Sequence, residues 1–171
     1  MGHRALVTNR QTGLDQRATR PDNWSMNQSV LFLCTANYYR SRFAEMLFNH
    51  LAPQKGLRER AASRGLAVEL GLRVNIGPIS THTLQGLAAR RIPTGQPPRM
   101  PIQASEADFR KARCAIALHE PEHRPMMVAL FPVWADRIEY WNVADIGDVS
   151  PDIALAAIEA RVSALLDSLA P

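Results

Sequence analysis

The sequence predicts an α/β domain of three layers, with a central parallel sheet of about four strands flanked by helices. Three observations carry this. Val30 to Leu33 and Cys114 to Leu118 are short unbroken apolar runs, the pattern of strands buried on both faces. Segments with apolar residues three and four apart, the mark of amphipathic helices, alternate with them. Strands and helices alternating at this spacing imply right-handed crossovers between parallel neighbours. With 171 residues the chain is long enough for one domain with a real core.

Residues 1–28 are polar and rich in Arg, Gln, Thr and Asn, without apolar periodicity or the apolar segment of a secretory signal. They are expected to form a flexible N-terminal tail or an upstream extension, with Met26 an alternative start and 29–171 a single domain. Arg4, Arg10, Arg17 and Arg20 faintly suggest an organelle presequence, but no apolar helical face accompanies them. After the first strand, Phe43, Met46, Leu47 and Leu51 line one face of a helix that starts near Arg40 and ends by Pro53. A weaker strand fits Arg60 to Ser63, closed by Arg64-Gly65. Ser80 or Thr81 caps a helix carrying Leu84, Leu87, Ala88 and Ile92, which Pro93 stops.

Pro93 to Pro101 reads as loop and Ser105 to Arg113 as a short helix bearing Phe109. Beyond the Cys114 strand, a proline-punctuated helical segment runs to Phe131, and a last strand fits Arg137 to Val143. The final helix has Ser150 as cap and Pro151 at its first position, and buries Leu155, Ile158, Val162, Leu165, Leu166 and Leu169. No internal repeat is present.

Hydrophobic residues make up 46% and charged residues 21%, a soluble globular balance, and no stretch approaches the roughly 20 apolar residues that span a bilayer. Two cysteines make no disulfide framework, so free thiols and a cytoplasmic setting are expected. The net charge of +4 and pI near 9.6 favour anionic partners. Eighteen of the twenty basic residues are Arg, scattered rather than gathered, with no basic stripe interleaved with aromatics. Neither a nucleic acid nor a membrane is therefore an expected partner.

The chemistry centres on Val30-Leu31-Phe32-Leu33-Cys34-Thr35-Ala36-Asn37-Tyr38-Tyr39-Arg40-Ser41. An Arg six residues after a Cys says little alone. Here the pair spans the turn from a buried strand into a helix, where open parallel sheets hold ligands and unpaired helix N–H groups meet an anion. Loop N–H groups, the helix N-terminus and Arg40 would all favour a Cys34 thiolate, the reactive form. Arg40 has the two-pronged geometry that fits two phosphoryl oxygens. Ser41 can donate to the sulfur, and Asn37 tolerates left-handed backbone angles. Cys114, inside a strand, reads as a small core residue. His119-Glu120-Pro121-Glu122-His123 matches a zinc-protease spacing, but Pro121 places His119 before the helix rather than on a face shared with His123, and it reads as a strand end entering a helix. His50 and His82 read as solvated or packing residues.

This stretch, with Phe43-Ala44-Glu45 after it, resembles the N-terminal signature of the low-molecular-weight protein tyrosine phosphatase family, within the wider phosphatase and arsenate reductase-like superfamily. The resemblance continues weakly over residues 29–169 and implies a Rossmann-like phosphotyrosine phosphatase I fold. It implies a cysteine nucleophile, Cys34, and a phosphate-binding loop of Thr35, Ala36, Asn37, Tyr38, Tyr39, Arg40 and Ser41. Ser63-Arg64-Gly65 resembles the family's Ser-Ala-Gly segment, so Ser63, otherwise a turn serine, would join Asn37 and Ser41 in supporting the loop. Asp108-Phe109 resembles its acidic-aromatic pair. Val143-Ala144-Asp145-Ile146 stands where the family carries its general acid, which implies Asp145; Asp148 and Asp136 lie near enough to be alternatives.

The resemblance implies hydrolysis of phosphate monoesters, of protein phosphotyrosine above all, through a cysteinyl-phosphate intermediate and with no metal or cofactor. The expected partners are a phosphorylated protein or a small phosphate monoester, and inorganic phosphate or another oxyanion. Two alternatives remain: an arsenate reductase served by an external thiol, and an inactive phosphate-binding module. Four departures accompany the match. Ala36 replaces a Gly, and a positive φ there would cost about 1–2 kcal/mol. Tyr39 replaces a second Cys, Tyr38 is bulkier than the usual aliphatic, and the prolines around Asp145 are missing.

Overall fold

The computed structural model describes residues 28–94 and 97–170. The expected tail therefore lies outside the described residues, apart from Gln28, which opens β1. Four strands, β1 (Gln28–Cys34), β2 (Arg60–Gly65), β3 (Cys114–Ala117) and β4 (Glu139–Tyr140), form one parallel sheet in the order β2-β1-β3-β4. The helices are α1 (Arg40–Leu51), α2 (Val68–Leu72), α3 (Thr81–Ala89), α4 (Glu106–Lys111), α5 (Glu120–Leu130) and α6 (Pro151–Leu169), with a 3-10 turn at Pro53–Lys55.

Alternation along β1 divides the core into two layers, because successive side chains of a strand point to opposite faces. Val30 and Phe32 pack with Phe43, Leu47 and Phe48 of α1 and Leu155, Ile158 and Val162 of α6. Phe32 meets Phe48 edge-on at 6.2 Å and Trp141 at 5.7 Å. On the other face, Leu31 and Leu33 pack with Phe109 of α4, Met127 of α5 and Phe131 at the end of α5. Each such residue contributes about 1.5–3 kcal/mol by burial, which fixes β1 as the rigid centre from which the following loop projects.

Most elements fall where the sequence predicts them. Ser80 accepts the His82 N–H at 3.2 Å as a helix cap, and Ser105 with Asp108 closes a capping box. Ser150 occupies the capping position of α6 without a side-chain bond. The last strand is only two residues long. Beyond it, Trp141 N–H and Val143 N–H still donate to Ala117 O and Leu118 O at 2.8 Å each, but the chain bridges antiparallel at Asn142 and His119, which breaks the regular ladder. Helix α2 was not anticipated: five residues with a glycine inside and no side-chain cap leave little periodicity to read. Among the described residues, no helix is long and apolar enough to cross a membrane.

Candidate active site

From β1 the chain passes first to β2 on one side and then, by a long crossover, to β3 on the other. This reversal creates a crevice at the carboxyl ends of β1 and β3, the place where open parallel sheets take ligands. Cys34 ends β1, and a cavity of about 620 Å³ opens on it, lined among others by Ala36, Tyr38, Arg40, Glu122 and Asp145.

The loop between Cys34 and α1 is tied down through its carbonyls. Leu66 N–H donates to Cys34 O at 2.9 Å, Ala67 N–H to Thr35 O at 2.8 Å, Ser80 N–H to Tyr38 O at 3.0 Å, and the Thr83 hydroxyl to Tyr39 O at 3.1 Å. Among the described residues, no protein acceptor takes the amide hydrogens of Thr35 to Tyr39. Backbone donors left unpaired beside a helix N-terminus form an anion cradle.

Asn37 holds this shape. Its backbone takes φ 52°, the left-handed region that Asn tolerates, and its side chain is fully buried. Both amide hydrogens are donated, to Ser41 Oγ at 3.0 Å and Ser63 Oγ at 2.8 Å. Its Oδ1 accepts from Arg99 Nη1 at 2.9 Å and Ile102 N–H at 3.0 Å. Ser41 Oγ, with its lone pair engaged by Asn37, sits 3.0 Å from Cys34 Sγ and has its own hydrogen free for the sulfur. Ser63 donates in turn to Glu45 at 2.5 Å, and Arg99 binds the same carboxylate oxygen at 2.7 Å. The sequence marks Glu45 only as part of the resembling stretch, without a role, and gives no sign of Arg99, which lies 62 residues beyond Asn37 in a segment that reads only as loop.

Ala36 does not carry the strain its identity suggested, since the only non-glycine residues at positive φ among those described are Asn37 and Arg91. Its methyl faces Gly71 of α2, where an added Cβ would stand 2.4 Å from it. Gly65, at the end of β2, is needed for a similar reason: a Cβ there would meet Thr35 O at 2.9 Å. The Tyr38 hydroxyl donates to Ile76 O at 2.7 Å. Tyr39 turns into the core, its hydroxyl near Pro151 O, and burial followed by the nearby Asp145 carboxylate pushes that phenol up to about 12.

Arg40 is 2% exposed. Its Nη1 donates to Val143 O at 3.1 Å and its Nη2 to two carboxylates, Asp145 at 2.9 Å and Glu122 at 2.8 Å. Burial alone would lower its proton affinity, but Cys34, Asp145 and Glu122 together raise it above the ordinary arginine value. Of the three candidate acids, only Asp145 reaches the cleft. Asp148 is exposed, its N–H bonded to Asp145 O, and Asp136 pairs with Arg124 at 2.8 Å on the surface.

Glu122 is the residue that sequence reading passed over. It belongs to the His119–His123 stretch, where His119 indeed precedes α5 in an extended conformation. Among the described residues, no group of acidic, His and Cys side chains is placed to hold a metal. Instead, Thr35 donates its hydroxyl to Glu122 Oε1, while Oε2 takes Arg40. Buried His123 accepts the His119 N–H on Nδ1 at 3.0 Å, so in its neutral form the ring hydrogen sits on Nε2, 3.5 Å from Glu122 Oε1. Burial pushes the Glu122 carboxyl up, but His123, Thr35 and Arg40 overcome it and hold the group well below the usual carboxylate range. The available clue was topological: Glu122 follows the strand beside β1, on the ligand edge of the sheet.

Cys114 starts β3, paired with Val30, while Cys34 lies at the far end of β1. Four residues of strand separate those levels, about 13 Å. Burial, then Glu139, pushes the Cys114 thiol up.

The family model for low molecular weight phosphotyrosine protein phosphatase matches residues 29–147. Among solved structures, YfkJ from Bacillus subtilis is similar with TM-score 0.70 and 24% identity, covering 84% of this chain and 94% of that one. Vibrio vulnificus Wzb, solved in complex with benzylphosphonate, gives TM-score 0.68 and 16% identity, covering 83% and 99%. The YwlE arginine phosphatase from Geobacillus stearothermophilus gives 0.63 and 21%, covering 83% and 92%. No curated protein matches the chain by sequence. The family match spans well over half of the chain, from β1 to the loop carrying Asp145; the chain belongs to the low molecular weight phosphotyrosine protein phosphatase family and is a cysteine-based phosphatase.

Proposed function

We propose that this phosphatase hydrolyses phosphate monoesters, with protein phosphotyrosine as the leading substrate class, through a cysteinyl-phosphate intermediate on Cys34. The observation that carries the reading is the set of unpaired amides from Thr35 to Tyr39 wrapped around a thiol that Ser41 contacts at 3.0 Å, with Arg40 beside it. In this reading the amides and Arg40 hold the equatorial phosphoryl oxygens while Cys34 Sγ attacks in line. The S–P bond forms as the ester P–O bond breaks, and Asp145 delivers its proton to the leaving oxygen. As a carboxylate it then takes a proton from water, whose oxygen attacks phosphorus and frees Cys34. Asn37, Ser41 and Ser63 support the loop, and no step calls for a metal or cofactor.

Tyr38, Leu70, Val74 and Ile76 along the cavity give an aryl group apolar contact, which supports phosphotyrosine over a small polar ester. A nucleophilic thiol that must stay reduced suits a cytoplasmic setting. An arsenate reductase would need a second thiol; Cys114, about four strand residues away, does not supply it, so that alternative requires an external one.

The test is phosphate release from p-nitrophenyl phosphate by the wild type beside Cys34→Ser, with arsenate and thiol reductants assayed in parallel. Turnover abolished in Cys34→Ser supports the reading. Turnover of arsenate alone would replace it with the reductase, and phosphate binding without any turnover with the inactive module.

A further inference from the structure

The mechanism above has no use for Glu122, yet this carboxylate holds the residue on which phosphate binding depends. A guanidinium grips an oxyanion through two parallel N–H donors, along either its Nε–Nη2 edge or its Nη1–Nη2 edge. Nη2 belongs to both edges. In this cleft the two hydrogens of Arg40 Nη2 are committed, one to Glu122 Oε2 at 2.8 Å and one to Asp145 Oδ2 at 2.9 Å. A phosphoryl group therefore gains a bidentate grip on Arg40 only when a carboxylate gives way.

The two carboxylates differ in how firmly they are held. Asp145 is 46% exposed and its other oxygen accepts only from the adjacent Ile146 N–H. Glu122 is 30% exposed and is fixed at its other oxygen by the Thr35 hydroxyl, from the residue that follows the nucleophile. Pushed aside, Glu122 loses Arg40. Left in place, it shares Nη2 with the phosphoryl oxygens. In either geometry a full negative charge opposes the incoming anion. Among the described residues, the only other formally charged side chains lining the cavity are Arg40 itself and Asp145, while His119 Nδ1 and buried His123 Nε2 stand 3.6 and 3.5 Å from the Glu122 oxygens and, as neutral rings, leave its charge in place.

We infer that Glu122 is a specificity-determining residue, an internal carboxylate that competes with oxyanions for Arg40. An ester whose organic group also binds the apolar walls overcomes that competition. Free phosphate, lacking the organic group, does not, and leaves readily after hydrolysis. The inference rests on the phosphate-cradle reading given under Proposed function and adds to it a means of limiting product inhibition.

The experiment is calorimetric titration of inorganic phosphate into full-length wild type and Glu122→Gln at fixed salt, with inhibition by phosphate measured in the p-nitrophenyl phosphate assay. Gln keeps the size and an acceptor oxygen but removes the charge; thermal melts verify folding, and Glu122→Ser serves if the Gln variant does not fold. Phosphate is expected to bind the variant more tightly by on the order of tenfold, and its inhibition constant to fall by more than the KM of the ester. A residue that merely braced Arg40 would, on removal, weaken binding. Equal or weaker phosphate affinity in the variant overturns this inference alone. Phosphate binding to neither protein overturns both it and the cradle reading, whereas the Cys34→Ser comparison tests the chemistry independently.

Discussion

Gly71 and Ala36 are complementary: the space a side chain would take at position 71 is filled by the Ala36 methyl, and a Cβ built on Gly71 would lie 2.4 Å from it. The loop therefore accepts alanine where the family has glycine because α2 yields the room. Gly71→Ala should push the cradle out of place at about 1–3 kcal/mol, with kcat/KM for p-nitrophenyl phosphate down on the order of tenfold or more. Ala36→Gly in the same chain should restore most of it. A double-mutant cycle without coupling would refute the contact.

Asn37 joins left-handed backbone to four side-chain hydrogen bonds. Asn37→Ala adds about 1–2 kcal/mol of backbone strain and removes one hydrogen bond each from buried Ser41 and Ser63 and the acceptor of the Ile102 N–H, at about 1–3 kcal/mol more. Urea unfolding should register a loss of several kcal/mol, and Asn37→Gly, spared the strain, a smaller one.

Asp145→Asn tests the acid. The side chain stands on Arg40 in this structure and must turn to the leaving oxygen to donate its proton. The variant should slow hydrolysis of phenyl phosphate, with its poor leaving group, far more than that of p-nitrophenyl phosphate. Equal slowing of both esters would take the proton-donating role away from Asp145.

Acid should destabilise this fold in two stages. Burial holds His123 below its ordinary value of about 6.5, so the unfolded chain binds the extra proton and stability falls as pH drops through that range. Glu122, held below the usual carboxylate range, contributes stability that is present above about pH 4.3 and lost as pH falls further. Thermal melts from pH 8 to 3 should show both, and Glu122→Gln should flatten the lower stage. His123→Asn, whose amide oxygen can take the His119 N–H, should flatten the upper one. A melting temperature that rose on acidification between pH 7 and 5 would contradict the His123 assignment.

Several features follow from neighbours along the chain alone. An apolar run must be buried on both faces, so Val30 to Leu33 had to be a central strand. A 3.6-residue apolar period made α1 a helix packed on it, and a separation of six positions from Cys34 to Arg40 put both at one strand-to-helix turn. Pro121 sufficed to place His119 before α5, because a proline without an N–H is tolerated in the first turn of a helix and not further in, although its predecessor Glu120 is already helical. Tertiary structure decided the rest, since it turns on which segments meet. Glu122 reaches Arg40 across 82 residues and Arg99 reaches Asn37 across 62, and neither carries a local pattern. It also decided that Asp145 rather than Asp148 enters the cleft, and that Ala36 is unstrained, because φ at one residue and the space beside it at Gly71 are set by how α2 packs on the loop.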